Sequence, residues 1–497
     1  MSYDLDDVKS GFDVEADVVV VGSGAGGAVA AANFARAGMR TVVLEAGSRI
    51  RPEDMIRDAP RFLARHFWEG GLRMIGGTSQ MPSLQARCLG GSTVVNSAIM
   101  LELPRWVRQA WTDETGYELF RAEQLDEAYA RVFERCKVAP TPLAVLGRRS
   151  LIVRDALVVA GQGGKPLPRA VQGCEGCGDC ITGCVGGHKQ SVDRTYLMDA
   201  EADGAEIYTH ATVERVRVRH GRAAGVEGVV LDPRWQKLAR FRVHAPLVVM
   251  AAGALHTPVI LQQSGLTAGR TVGSTFFAHI GGGLVGVMDE VVDPWVGATQ
   301  GWGAISDDIR GMKFECLWAS PAVLMVRWGD VGRPFLARLD EVKHATVIAI
   351  VYRGRVHGDV RPGFGGMPRA RVFIPEDEAR VVLRGMKLAA DALLAVGARY
   401  VHTGVPSVVD EMRNSKDTES LLDARVRARD LQMTMNHVFG SCRMSHDGAV
   451  DDRGKLRGVE GVYLTDASVF PSPSSVNPQA TIMALADLTS RKLAALS

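Results

Sequence analysis

The densest group of reactive side chains in the chain is a run of four cysteines, Cys174, Cys177, Cys180 and Cys184, spaced C-x2-C-x2-C-x3-C. Thiolates this close together suit a soft metal. The spacing matches ferredoxin-type iron–sulfur ligation, except that Val185 stands where proline usually follows the fourth cysteine, and there is no second such run. C-x2-C pairs also hold zinc, and free thiols or disulfides are the third reading. The iron–sulfur reading expects a [4Fe–4S] or [3Fe–4S] cluster that takes electrons one at a time. The other four cysteines, Cys88, Cys136, Cys316 and Cys442, are scattered.

A second pattern points to phosphate. Gly22, Gly24 and Gly27 have the spacing G-x-G-x-x-G, directly after four valines, Val18 to Val21. The valines read as a strand buried on both faces. Ala28 to Ala37 reads as a helix ended by Gly38, and Thr41 to Leu44 as a second strand closed by Glu45. Glycines in such a β-α-β unit allow a tight turn, close approach to a pyrophosphate, and close packing of helix on strand. The helix N-terminus offers free N–H groups to phosphate. Glu45 falls where a carboxylate accepts hydrogen bonds from ribose hydroxyls. The unit predicts a dinucleotide site. Its N-terminal position in a long chain favours FAD over NAD.

Further elements must position these groups. Ala86 to Met100 contains Gly90 and Gly91, which would let backbone approach a flat ring; Ser92 and Asn96, four apart, would share one face of a helix. Residues 104 to 140 read as mainly helical. After the cysteines, residues 191 to 229 alternate strand-like runs and turns, as in a smaller β-element. Pro246 to Ala254 predicts a third buried strand ending in small residues at Gly253, followed by a short helix. Residues 276 to 425 differ in texture: strands at Thr346–Tyr352 and Ala370–Phe373 and an amphipathic helix over Glu376–Ala395 predict a second domain. Near the end, Gly461 to Thr465 reads as a strand with Asp466 at its tip. Asn477 precedes Pro478, which suits the first position of a helix running to about Leu496.

Five ordered motifs together resemble the glucose–methanol–choline (GMC) oxidoreductase family. They are VVVVGSGAGG with Glu45, CLGGSTVVN at 88–96, AAGALHTPVILQQSG at 251–265, HVFGSCRMSHD at 437–447 and DASVFPSPSSVNPQAT at 466–481. The pattern is most similar to the cholesterol oxidase and long-chain-alcohol oxidase branch. The resemblance implies an α/β (α+β) architecture: a Rossmann-like FAD-binding domain over 1–275 and 426–497, with the cysteine-rich insert at 170–190, and a sheet-plus-helices substrate domain over 276–425.

It also implies FAD-dependent oxidation of an alcohol to an aldehyde or ketone, with hydride passing to flavin N5. The catalytic positions of the family fall on His437 and Asn477. His437 would accept or position the hydroxyl proton, and Asn477 would hold the substrate oxygen. The flavin would contact Gly22, Gly24, Gly27, Glu45, Gly91, Ser92, Asn96, Gly253, Asp466 and the helix start at Pro478. Asp466 is expected to organise local backbone, and Asn477 has an ordinary reading as a helix N-cap. His256, His279 and His446 are read as structural.

The chain departs from the family pattern at Asn436, where an aromatic residue is common, and at Ser445 and Thr267, where glycine is common. No histidine suited to a covalent flavin link stands near residue 90, which favours non-covalent FAD. With a cluster on the four cysteines the enzyme would be a dehydrogenase passing electrons to a quinone or an electron-transfer protein. Without one, oxygen would serve as acceptor in an alcohol oxidase; a non-redox flavin lyase is the further alternative.

A net charge of +2 over 497 residues points to no nucleic-acid partner. The apolar runs at Val18–Ala35 and Pro246–Gly269 carry glycines, prolines and polar residues, so no transmembrane segment is expected. The acidic first residues, MSYDLDDVKSGFDVEAD, show no export signal, and a cytoplasmic location is expected.

Overall fold

A computed structural model describes every residue except 57, 322, 323, 325–327, 329, 330 and 497. The nucleotide half is built on a six-stranded parallel sheet in the order Ser2–Tyr3, Glu206–Tyr208, Thr41–Leu44, Val18–Val21, Leu247–Met250, Val462–Leu464. Val18–Val21 lies inside the sheet, with Val18 opposite Thr41 on one side and Leu247 on the other. Its four valines are 0–3% exposed, each contributing roughly 1.5–3 kcal/mol of apolar burial. That double-sided burial is why the strand is a continuous apolar run and not an alternating one.

The glycine-motif helix spans Ala25–Arg36, beginning three residues before the alanine-rich segment suggests, and Gly38 follows it with φ +80°. Its small side chains let the C-terminal helix Gln479–Ala494 pack closely against it. Asn33 Nδ2 joins the two by donating to Asp487 Oδ1 at 3.1 Å and Ser490 Oγ at 2.9 Å. The smaller β-element is a four-stranded sheet of Ala211–Arg219, Arg222–Leu231, Lys237–His244 and Phe12–Glu15.

The second half rests on an antiparallel sheet in the order Tyr400–His402, Gly283–Val287, Ala345–Tyr352, Met312–Cys316, Trp302–Ile305, Lys165–Pro166. The amphipathic helix Glu376–Ala395 lies where its periodicity puts it. It packs on this sheet together with the helix Arg148–Val159. The sheet unit expected within 276–425 therefore recruits one strand and one helix from before the cysteine segment. Ser150 Oγ on that recruited helix reaches Cys316 Sγ at 3.3 Å, and Met312 packs at Gly385. Odd and even positions of Met312–Cys316 point to opposite faces, so Lys313 and Glu315 are turned away from the helices. Both are nonetheless 1% exposed.

Candidate active site

The glycine loop is held by backbone contacts that no side chain would survive. A Cβ at Gly22, where φ is +98°, would fall 2.4 Å from Ala251 O, and one at Gly27 would fall 1.9 Å from Gly22 O. Gly26, which the motif spacing does not single out, is as constrained: its Cβ would sit 1.8 Å from Thr465 O. Gly24 differs. A Cβ there would meet no protein atom nearer than 4.0 Å, and that atom is the Gly91 Cα. Gly24 and Gly91 thus bring two distant turns together along one wall of a cavity of about 1250 Å³.

Gly22, Gly24, Glu45, Gly91, Ser92, Asn96, Gly253, Asp466 and Pro478 all line this cavity, as do His437 and Asn477. Gly27 lies behind it and serves the packing of helix on strand. Glu45 is buried and brackets the loop: Oε2 accepts from Ser23 N and Oγ at 3.2 and 2.6 Å, and Oε1 from Gly47 N at 2.8 Å. Burial pushes its carboxyl above the ordinary value despite these donors. Asp466 is a backbone organiser, accepting from Gly253 N, Thr257 Oγ1 and Ser468 N. Ser92 and Asn96 reach the cavity without sharing a helix face, because only a 3-10 turn, Gly91–Thr93, forms there. Ser92 Oγ accepts from Ala86 N, and Asn96 Nδ2 donates to Gln479 Oε1 at 2.6 Å.

Asn477 is not a helix cap. The C-terminal helix is capped at Pro478 with no side-chain cap bond, one residue later than the sequence suggests. The Asn477 Oδ1 accepts from the Lys313 ammonium, which also pairs with Glu315. Gln300 Nε2 donates to the other Glu315 oxygen at 2.7 Å. An ammonium can only donate, so this contact fixes the amide: Oδ1 faces Lys313, and Nδ2 is the group left to donate into the cavity. Burial lowers the Lys313 pKa, and Glu315 opposes that. His437 sits beside this network. Burial brings its pKa down to about 4, with Glu315 acting against the shift and Lys313 with it, so its imidazole is neutral at pH 7.

Lys313, Glu315 and Gln300 are the residues that sequence reasoning missed. Two charges at i and i+2 on a strand ordinarily mark a solvated face, and nothing local reveals that this face closes a cavity. His279, read as structural, places its Nδ1 3.1 Å from His437 Nδ1. His256 borders the cavity too, stacked on Trp68 at 4.0 Å and with Nε2 2.9 Å from Arg73. His446 is away from it, edge-on to Tyr117.

The cysteine segment gives no support to the metal expectation. Cys174, Cys177, Cys180 and Cys184 are all free, and Arg169 lies against the sulfurs of both Cys174 and Cys180. Cys177 is exposed. Cys180 Sγ accepts from Arg169 Nη2 at 3.3 Å, and Cys184 Sγ from Lys189 N at 3.4 Å. Burial pushes the Cys180 thiol up, but Lys189 and Arg169 outweigh it and bring the thiol below its ordinary value. Positive φ at Gly173, Gly176, Gly178 and Gly183 bends the segment repeatedly. Among the described residues no group of three or more His, Cys, Asp or Glu side chains is placed to hold a metal ion. This arrangement gives no support to an iron–sulfur or zinc centre. Arg169 Nη2 lies against Cys180 Sγ, and the Lys189 ammonium against Cys180 O.

The parallel sheet, glycine loop and bracketing acid define a dinucleotide-binding α/β fold with a polar cluster at its cavity. GMC oxidoreductase family models match residues 16–281 (N-terminal domain) and 352–486 (C-terminal domain), and the chain belongs to the GMC oxidoreductase family. It is 34% identical to a GMC-type oxidoreductase of Mycobacterium tuberculosis, over 95% of this chain and 74% of that one. It is 27% identical to a long-chain-alcohol oxidase of Arabidopsis thaliana, over 98% and 67%. The fold is that of a pyridoxine 4-oxidase crystal structure, with a TM-score of 0.71 at 16% identity, covering 96% of this chain and 98% of that one. GMC oxidoreductases bind FAD, and the cavity fits one: an open helix N-terminus at Gly24, close-packed glycine turns and a buried acid at the strand tip. Among the described residues no helix is long and apolar enough to cross a membrane.

Proposed function

We propose that this protein oxidises an alcohol to an aldehyde or ketone. The observation that carries the reading is the opposite polarity of two cavity side chains, a neutral His437 and an Asn477 whose amide is turned to donate. Asn477 Nδ2 donates to the hydroxyl oxygen and His437 accepts the hydroxyl proton, so the alcohol is held by both partners and loses its proton in place. FAD, when bound, supplies the acceptor for the hydride leaving the carbinol carbon. Gly22, Gly24 and Gly91 would hold its phosphates by backbone, Glu45 its ribose, and Ser92, Asn96, Gly253 and Pro478 the remainder of the same cavity. Residues 1–275 and 426–497, apart from the helix Arg148–Val159 and the strand Lys165–Pro166, form the cofactor unit in this reading, and 276–425 with those two elements the substrate unit.

Val95, Ile99, Ile181, Leu317 and Trp318 line the cavity and favour an apolar alcohol. The similarity to a long-chain-alcohol oxidase supports the same class. No electron route through a metal cluster belongs to the reading, because the cysteines lack the arrangement for one. Anaerobic mixing of the flavin-loaded protein with a series of alcohols tests it. Bleaching of the flavin absorbance is expected, and His437→Ala should abolish it. A flavin that stays oxidised with every alcohol would overturn the reading and favour a lyase. Admitting air, or a quinone, to the bleached protein then identifies the acceptor.

A further inference from the structure

A histidine base needs a bare ring nitrogen on the side of its substrate, and a neutral imidazole carries one N–H and one lone pair. In this fold the choice is made behind His437. The short strands Phe277–Ala278 and Val438–Phe439 pair antiparallel, and His279 N donates to His437 O at 3.1 Å. The pairing sets the two rings at 86° with Nδ1 facing Nδ1 at 3.1 Å. Phe439 packs edge-on to His279 at 4.9 Å and restrains its rotation.

Two facing ring nitrogens hydrogen-bond only if one is protonated and the other bare. Ser474 settles which. Its single hydroxyl proton goes to Val476 O at 2.6 Å, so its oxygen is an acceptor for His279 Nε2, 3.5 Å away. Arg353 holds the loop that carries Ser474, donating to Pro473 O at 2.7 Å and Ser472 Oγ at 2.8 Å. His279 therefore carries its proton on Nε2 and leaves Nδ1 bare. His437 Nδ1 must donate to it, and His437 Nε2 is left with the lone pair.

We propose that His279 and Ser474 are positioning residues that lock His437 in the Nδ1–H tautomer, so that its Nε2 is the atom that accepts the hydroxyl proton. The proposal rests on the reading of His437 as the base. It makes the serine hydroxyl, two residues removed from the reacting atoms, the origin of the site's polarity. The charged groups facing the histidine pair are Lys313 and Glu315 on the strand Met312–Cys316 and Arg353 after the strand Ala345–Tyr352.

The test is anaerobic flavin reduction by alcohol, followed against pH in the flavin-loaded protein. His279→Leu removes the acceptor and should slow reduction about 100-fold at unchanged KM, within the range of a general-base contribution. His279→Asn places Oδ1 where Nδ1 was and should stay within about 5-fold of the parent. Ser474→Ala alters almost no packing but frees His279 to shift its proton to Nδ1, and should slow reduction about 10-fold, with the acid limb of the pH profile displaced. Should His279→Leu not fold, Ser474→Ala carries the test alone. Parent rate and parent pH profile in Ser474→Ala, or His279→Asn as slow as a folded His279→Leu, would overturn the proposal. Survival of activity in His437→Ala would instead remove the reading beneath it.

Discussion

Two lysines, each 1% exposed, divide the polar interior of this protein between them. Lys189 is surrounded by carbonyls: its ammonium donates to Val94 O, Asn96 O and Cys180 O at 2.7, 2.7 and 2.8 Å. All three donors are spent on backbone, and they bind the cysteine segment to the turn after Gly91–Thr93, whose Val95 and Asn96 line the cavity. Lys313 instead faces a carboxylate and a side-chain amide, Glu315 and Asn477. The first lysine is a clamp whose partners have no alternative. The second sits among groups that exchange partners or protons. Buried charge of the same type is thus used once for holding the chain and once for setting the direction of a hydrogen bond.

Breaking the clamp should have the larger effect. Lys189→Met leaves three buried carbonyls bare and should cost about 3–5 kcal/mol, read as a lowered urea midpoint. Protein that stays folded should reduce its flavin at the parent rate.

Acid should act through the buried histidines, His437 and His279 beside the second cluster and His256, His66 and His210 elsewhere, all held below their ordinary value by burial. His437 has a folded pKa of about 4, below its unfolded value of about 6.5, and burial depresses His279 further. The unfolded chain takes up protons that the folded chain refuses. Stability is therefore full above pH 6.5 and falls as pH drops towards 4, by about 3 kcal/mol for His437. Thermal midpoints across this window check the sign, and rising stability on acidification would contradict it.

Removing the second lysine with its partner, as Lys313→Met with Glu315→Gln, should leave a folded, flavin-loaded protein that reduces flavin about 100-fold more slowly, because the amide of Asn477 is free to turn. Lys313→Met alone strands a buried carboxylate and should be less stable than the double variant. Equal stability of the two would erase the distinction drawn between the lysines.

The smallest effect belongs to the surface of the cysteine segment. Cys177→Ser, at an exposed side chain, should change stability by less than about 0.5 kcal/mol and leave activity at the parent level. Iron and acid-labile sulfide should be absent from protein purified without oxygen.

What the sequence makes legible follows from how local each feature is. The valine strand, the glycine loop, Glu45 and the helix Glu376–Ala395 are written in consecutive residues, and each stands where those residues put it. His437 and Asn477 are found through the motifs around them. Lys313 and Glu315 carry no motif, and their burial depends on how a distant sheet closes over the cavity. The cysteines show the opposite case: their spacing is suggestive, but it does not reveal Arg169 and Lys189, which lie outside the run and contact the sulfurs of Cys180 and Cys184. Ser474 lies inside a family motif, yet nothing in a string of letters tells which way a hydroxyl proton points.

The nucleotide sheet is finished late. Val462–Leu464 pairs with Leu247–Met250, and roughly 210 residues separate them. At about 5–20 residues per second of synthesis, the inner strand waits about 10–40 s with one edge unpaired. Its apolar residues and the alanine face of the glycine-motif helix stay uncovered for the same interval. Yield in a cell therefore depends on chaperone capacity and translation speed, and slowing the ribosome between these two strands lengthens the exposure.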